Sequence, residues 1–236
     1  MVDLAKFVQD DDINPTTRVY LNDSYLQSLD ANVVKVAQAK NDAYLLLDST
    51  IFHPKSGGQP SDVGTIEGLG YSVNVRRAML QSEHVVHFGK AEGKISVGPA
   101  KCKIDWINRF LMMRRHTAAH LLDHCLATLT GSRVETTDSW LEGDPYVGYG
   151  GATPSNLDLK QLQELANRLI QQALYVEIKT LNRSDAERLI ADAPNLARLP
   201  KRATEKAYCH YSGTDSNSLR RNTRTESQRN WGYGNS

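Results

Sequence analysis

Cysteine, tryptophan and phenylalanine are scarce in this chain, and neither sign of charge dominates. Only three of 236 residues are cysteines, and 28 Lys and Arg nearly balance 27 Asp and Glu, for a formal net charge of +1. The cysteines, Cys102, Cys125 and Cys209, are odd in number and widely spaced, which excludes a disulfide framework and points to a reducing compartment. The balance of charge excludes binding to nucleic acid through a global basic field. Any such contact must come from a local patch, such as Arg114 and Arg115 or Lys201, Arg202 and Lys206, and each cluster taken singly is ordinary solvated surface. No apolar run reaches the length of a signal segment or a membrane span, and charged and polar residues follow Met1. The expectation is a cytoplasmic protein with no membrane association. With 40% of its residues hydrophobic, the chain is long enough for one large or two modest cores.

What is present begins with short strand-like runs at 17–21, 31–40, 43–50, 64–69, 71–80 and 83–89, several alternating apolar with polar residues and punctuated by Asn, Asp and Gly. They predict a small antiparallel β-barrel or sandwich ending near Pro99. Residues 101–105 read as a short lead-in, and 105–131 then carry apolar residues at three- and four-residue steps, without interior Pro or Gly, to a C-capping Gly131. That is a helix. Beyond it, 134–151 read as two strands, 156–174 as an amphipathic helix and 175–181 as a strand. Ser184 with Glu187 forms a capping box opening a short helix to Ala193. The predicted fold class is α+β: a barrel domain at 1–100, an α/β sandwich with an antiparallel sheet at 101–200, and an atypical tail at 201–236.

Two features carry chemistry. His116 and His120 lie four residues apart on the predicted helix, so their rings share a face at the spacing at which two imidazoles bind one divalent ion. Taken alone, such a pair is more often a solvated surface pair, and His124 extends the row without being able to join a tetrahedral site. The lack of a Glu within the pair excludes the metalloprotease pattern. The second feature is Phe52–Gly64, FHPKSGGQPSDVG. Gly57 and Gly58 permit positive φ or close backbone approach, and Gln59 offers donors and acceptors on a short tether. By its residues alone this loop is a wide hairpin turn.

Together, FHPKSGGQPSDVG and Arg114–Leu122, RRHTAAHLL, resemble the editing module of alanyl-tRNA synthetases and its free-standing relatives, the alanyl-tRNA editing proteins, in the longer form with an N-terminal barrel. The resemblance runs from about residue 15 to about residue 200. It implies an aminoacyl-tRNA deacylase, a carboxylic ester hydrolase, acting on alanine tRNA mischarged with serine, and on its glycine counterpart. It implies Zn²⁺ held by His116 and His120 with a Cys and a further His, and a loop at Gly57, Gly58 and Gln59 that positions the aminoacyl end. It also implies a threonine, Thr136 or Thr137, that reads the serine hydroxyl; each is equally an ordinary strand residue. The ion would polarise the ester carbonyl, activate water, or fix the tRNA 3′ end. No residue is assigned as catalytic acid or base. His53, beside the glycine loop, receives no ligand role.

The tail departs from this pattern. The family's second ligand segment, CxxxH, is absent: Cys209 and His210 are adjacent, and 218–236 are polar and rich in Arg, reading as a disordered basic tail. Synonymous codons for Leu219–Asn230 can, one nucleotide forward, read Cys-Gly-Gly-Thr-His-Val-Arg-Asn, which resembles the missing segment. A frame change between Pro200 and Ser218 accounts for that. As written, the chain would keep two of four ligands, and the rival reading is an inactive RNA- or protein-binding module of the same fold.

Overall fold

Alternation of apolar and polar residues closes the first part of the chain into a barrel. In the computed structural model, which describes residues 2–9, 12–132, 134–151, 157–174, 176–182, 184, 188 and 205–211, the elements begin with helix α1 (Leu4–Val8) and strand β1 (Thr17–Arg18). There follow β2 (Ser28–Ala39), β3 (Asp42–Leu47), β4 (Ser49–Thr50), β5 (Gly64–Gly68), β6 (Tyr71–Gln81), β7 (His84–Gly93) and β8 (Gly98–Ile104). Six of them form a closed barrel in the order β2-β3-β7-β6-β5-β8, every pairing antiparallel. The stretch 101–105, read from sequence as a lead-in, largely falls in β8, which closes the barrel by pairing with both β2 and β5.

Inward positions are filled by Val33, Leu45, Ile66, Val73, Val75 and Val85, all fully buried. Along β6 the inward residues run Tyr71, Val73, Val75 and then Ala78, because the register shifts between Val75 and Arg77. That bulge turns both Arg76 and Arg77 outward, which strict alternation forbids. The runs Leu45–Leu47 and Val85–Val86 are apolar on both faces, and the structure shows why. Phe7 and Val8 of α1, capped by the Asp3 carboxylate, cover Leu46 and Val86 on the outside of the barrel.

One expected strand is shorter than its pattern. Of 17–21 only Thr17–Arg18 is extended, in parallel with β4, while Val19–Leu21 form a 3₁₀ turn. The N–H groups of Asn22 and Asp23 both donate to the Val19 carbonyl at 3.0 Å, and the turn buries Tyr20.

Helix α2 spans Trp106–Thr130, in agreement with the periodicity. Asp105 starts it, accepting from the Asn108 N–H at 3.1 Å, and Gly131 ends it at φ +72° with its N–H on the Ala127 carbonyl. The chain divides into two compact units: Met1–His116 with Trp140–Tyr146, and Thr117–Ser139 with Val147–Ser236. In the second, β9 (Thr136–Trp140) pairs with β10 (Tyr146–Tyr149), α3 (Leu159–Gln171) is capped by Asp158, and β11 (Val176–Asn182) pairs antiparallel with β12 (Glu205–Tyr211). Cys209 and His210 fall in β12, opposite Ile178 and Glu177. Of the helix expected at 184–193 only Ser184 and Arg188 are described, both helical; the rest of it, the tail 212–236, and Lys201 and Arg202 lie outside the described residues.

Candidate functional site

The glycine-rich loop is built as a hairpin with a tied base and a tied tip. At the base, the His53 N–H donates to Asp62 Oδ2 at 2.6 Å and the Asp62 N–H donates to the His53 carbonyl at 2.9 Å. At the tip, Ser56 and Gln59 exchange backbone hydrogen bonds of 3.1 and 2.9 Å. Between them Gly57 and Gly58 adopt φ of +53° and +77°, a two-residue connection that L side chains adopt only under strain. A Cβ on Gly57 would also come within 4.0 Å of His116 Cε1. The chain turns here against the helix.

The tip carries Gln59, 4% exposed, whose Oε1 accepts from His116 Nδ1 at 2.8 Å. Among the sequence-derived candidates this brings Gln59, Gly57 and His116 together. The Gly58 carbonyl accepts from the Leu141 N–H at 3.1 Å, and the Leu141 carbonyl accepts from Arg115 at 2.7 Å. So Arg115, read from sequence as part of a basic patch, is engaged in fixing the segment that faces the loop. The Lys55 ammonium lies 5.0 Å from the centre of the neighbouring Trp140 ring.

Below the loop lies a buried ion pair. Arg109 and Asp62 have side chains 3% exposed; Arg109 Nε donates to both carboxylate oxygens at 2.9 Å and a terminal nitrogen donates to Oδ2. The remaining Arg109 donors reach the carbonyls of Ser24 at 3.0 Å and Ile51 at 2.5 Å. His53 stacks edge-on to Tyr20 beside this pair. Burial outweighs the Asp62 charge and lowers the His53 pKa below its ordinary value, so this ring is neutral at pH 7.

In the second unit, a carboxylate gathers the polar groups. His120 Nδ1 lies 3.3 Å from Asp123 Oδ2, and Asp123 Oδ1 accepts from the Tyr149 hydroxyl at 2.8 Å and from the Thr136 hydroxyl at 3.4 Å. Burial works to raise the Asp123 pKa, but the hydrogen bonds from His120, Tyr149 and Thr136 outweigh it and hold the group below the ordinary carboxylate value. Burial, then donation to that carboxylate, pushes the Tyr149 hydroxyl well above its usual range. At neutral pH the cluster is an ionised carboxylate with a phenol as donor. Thr137 is separate, donating to the Gly148 carbonyl at 3.1 Å. A Cβ on Gly150 would stand 2.9 Å from Thr137 Cγ2, so that glycine makes room for it. His124 is exposed on α2, as His120 is.

Asp123, Tyr149, Arg109 and Asp62 were not singled out in the sequence. Asp123 had a signal, three residues beyond His120 on one helix face. Asp62 stood within the glycine motif, and Arg109 seven residues before His116. Nothing in the sequence marked Tyr149.

Comparison with known proteins then places the chain. The family model described as tRNA synthetases class II (A) matches residues 11–108. The alanyl-tRNA editing protein AlaX-M of Pyrococcus horikoshii is 40% identical over 171 residues, 70% of this chain and 75% of its own length. AlaX-L of the same organism is 38% identical over 114 residues, and the alanine–tRNA ligase of Hyperthermus butylicus 31% over 178. The chain covers only 28% and 19% of the length of those two proteins. With the match to AlaX-M extending over three quarters of that protein, and with a barrel, a tied glycine loop and a histidine helix in the matching order, the chain belongs to the family of alanyl-tRNA editing proteins.

Proposed function

We propose that this protein is a trans-editing deacylase of the cytoplasm that hydrolyses the ester of Ser-tRNA(Ala), with Gly-tRNA(Ala) as a second substrate, and that Zn²⁺ on His116 and His120 is part of its site. The observation that carries the proposal is the Gln59–His116 hydrogen bond of 2.8 Å, which joins the glycine motif to the histidine helix. The need is physical, because a synthetase pocket for a small side chain cannot exclude a smaller or hydroxylated rival well enough by binding alone, and a second hydrolytic sieve supplies the difference.

The two histidines fit a zinc site. Each ring has its Nδ1 on an oxygen, of Gln59 for His116 and of Asp123 for His120, and this outer contact is what sets Nε2 as the ligating nitrogen of a metal-bound imidazole. Among the described residues no group of three or more His, Cys, Asp or Glu side chains gathers to complete the coordination. When bound, the ion would supply a positive charge to the ester carbonyl, to a water or to the tRNA 3′ end. The protein's own groups do the rest. Gln59 and Asp123 hold the imidazoles in one tautomer, and Tyr149 keeps Asp123 ionised and oriented. The Thr136 and Thr137 hydroxyls donate to Asp123 and to the Gly148 carbonyl, and a hydroxyl is the group that can read the O–H of a seryl group.

A second reading, a binding module of the same fold without turnover, is favoured by that incomplete ligand set. Incubating Ser-tRNA(Ala) with purified protein and zinc separates the two. Release of serine with Ala-tRNA(Ala) spared is expected; binding of the charged tRNA without release would establish the module, and equal hydrolysis of both esters would remove the hydroxyl-reading role of the threonines.

A further inference from the structure

Helix α2 touches the glycine loop at two places seven residues apart, and seven residues are two turns, so both contacts come from one helix face. At the tip, His116 meets Gln59. At the base, Arg109 meets the Asp62 carboxylate and the Ile51 carbonyl, one at each end of the loop. Asp62 also holds the His53 N–H, so a single carboxylate ties the loop to itself and to the helix. The core gives a third tie, since the Phe52 N–H donates to Thr50 Oγ1 and that hydroxyl lies 2.8 Å from His87 Nε2 inside the barrel.

From this geometry we propose that Asp62 and Arg109 are positioning residues of the editing site, which fix the loop against α2 so that Gln59 meets His116 Nδ1. The inference rests on the function proposed above for its activity readouts, but not for its structural one. The chemistry favours it over a purely stabilising role. A buried ion pair is weak as a source of stability, since apolar residues of the same volume hold a core as well, whereas its directional hydrogen bonds fix one register. Arg109 uses the planar fork of its guanidinium on one carboxylate and still reaches two backbone carbonyls, a geometry that lysine cannot copy. With the loop base free to slide, the Ser56–Gln59 pair would keep the tip's turn but would not set where Gln59 meets the helix.

A positioning role predicts non-additivity. Gln59→Ala and Asp62→Asn should each lower kcat about 10- to 100-fold with KM for Ser-tRNA(Ala) nearly unchanged, the range seen when groups that orient metal-binding histidines are removed. In the double variant, Asp62→Asn should add less than about twofold, because both changes act through the same contact. Multiplying effects would overturn the proposal. Independent of activity, the ¹⁵N shifts of the His116 ring report its tautomer. Asp62→Asn should convert a single Nδ1–H form into a mixture, as Gln59→Ala does, while the melting transition stays cooperative. An unchanged His116 tautomer in a folded variant would refute the proposal even if no deacylation is detected in any variant. Should Asp62→Asn not fold, Arg109→Lys, which keeps the charge and loses the fork, takes its place with the same two outcomes.

Discussion

At the scale of the residue, the structure separates histidines that were alike in the sequence. His116 and His120 have their rings on polar partners, whereas His87 is fully buried inside the barrel between Thr50 and Leu45, edge-on to Phe52. Burial lowers its pKa from 6.5 to about 4. The folded protein therefore holds this ring neutral where the unfolded chain would protonate it, so its contribution is present above pH 6.5 and is lost as the pH falls toward 4. Between pH 7.5 and pH 5 it should cost the wild type about 2 kcal/mol of stability. His87→Gln removes that dependence, and denaturant titrations of both proteins at the two pH values check it: parallel losses would show that His87 does not titrate in the window. The spacing of His116 and His120 was readable from the helix period, and Gln59 from its motif. Tyr149 was not, because its role depends on a strand returning to Asp123, which no local pattern encodes.

At the scale of the element, the sequence was most legible where one period held for many residues. Helix α2 was visible from its apolar steps and its capping glycine, and five of the six barrel strands from alternation. What alternation hid was the second layer. Leu45–Leu47 and Val85–Val86 break the period because a five-residue helix covers the outer face, and α1 is too short to announce itself by periodicity. Phe7 is its anchor, 7% exposed and edge-on to Tyr44. Phe7→Ala should destabilise the barrel by about 3 kcal/mol, at the low end for a buried phenylalanine because the site lies near the surface. The loss should appear as a lower midpoint in thermal melting with the barrel's far-ultraviolet spectrum retained. A change below about 0.5 kcal/mol, the range of ordinary surface substitutions, would mean that α1 does not cover the barrel in solution.

At the scale of the whole molecule, the chain presents a conflict between its first 150 residues and its last forty. The barrel, the glycine loop and α2 agree with the family, while the CxxxH segment that the resemblance implies is not spelled in the frame as written. The reading offered for Leu219–Asn230 makes a definite expectation: the coding DNA there should spell Cys-Gly-Gly-Thr-His-Val one nucleotide forward, and the chain translated from the corrected frame should bind zinc more tightly than the present chain, which keeps two of the four ligands that the resemblance implies. Codons that fail to spell it end the reading. That conflict was legible only in the sequence, since 212–236 lie outside the described residues.

The barrel's closing strand also fixes an order in time. β2 and β5 share β8 as a partner, so neither is fully paired until residue 104 has left the ribosome, and the strand that completes them leads through Asp105 directly into α2. Closure across so long a separation in sequence is slow compared with helix growth. Everything needed for it is nonetheless translated before the codons at which the frame is in question. A slip at those codons therefore leaves every barrel residue in its own frame and falls on the segment to which the resemblance assigns the remaining ligands.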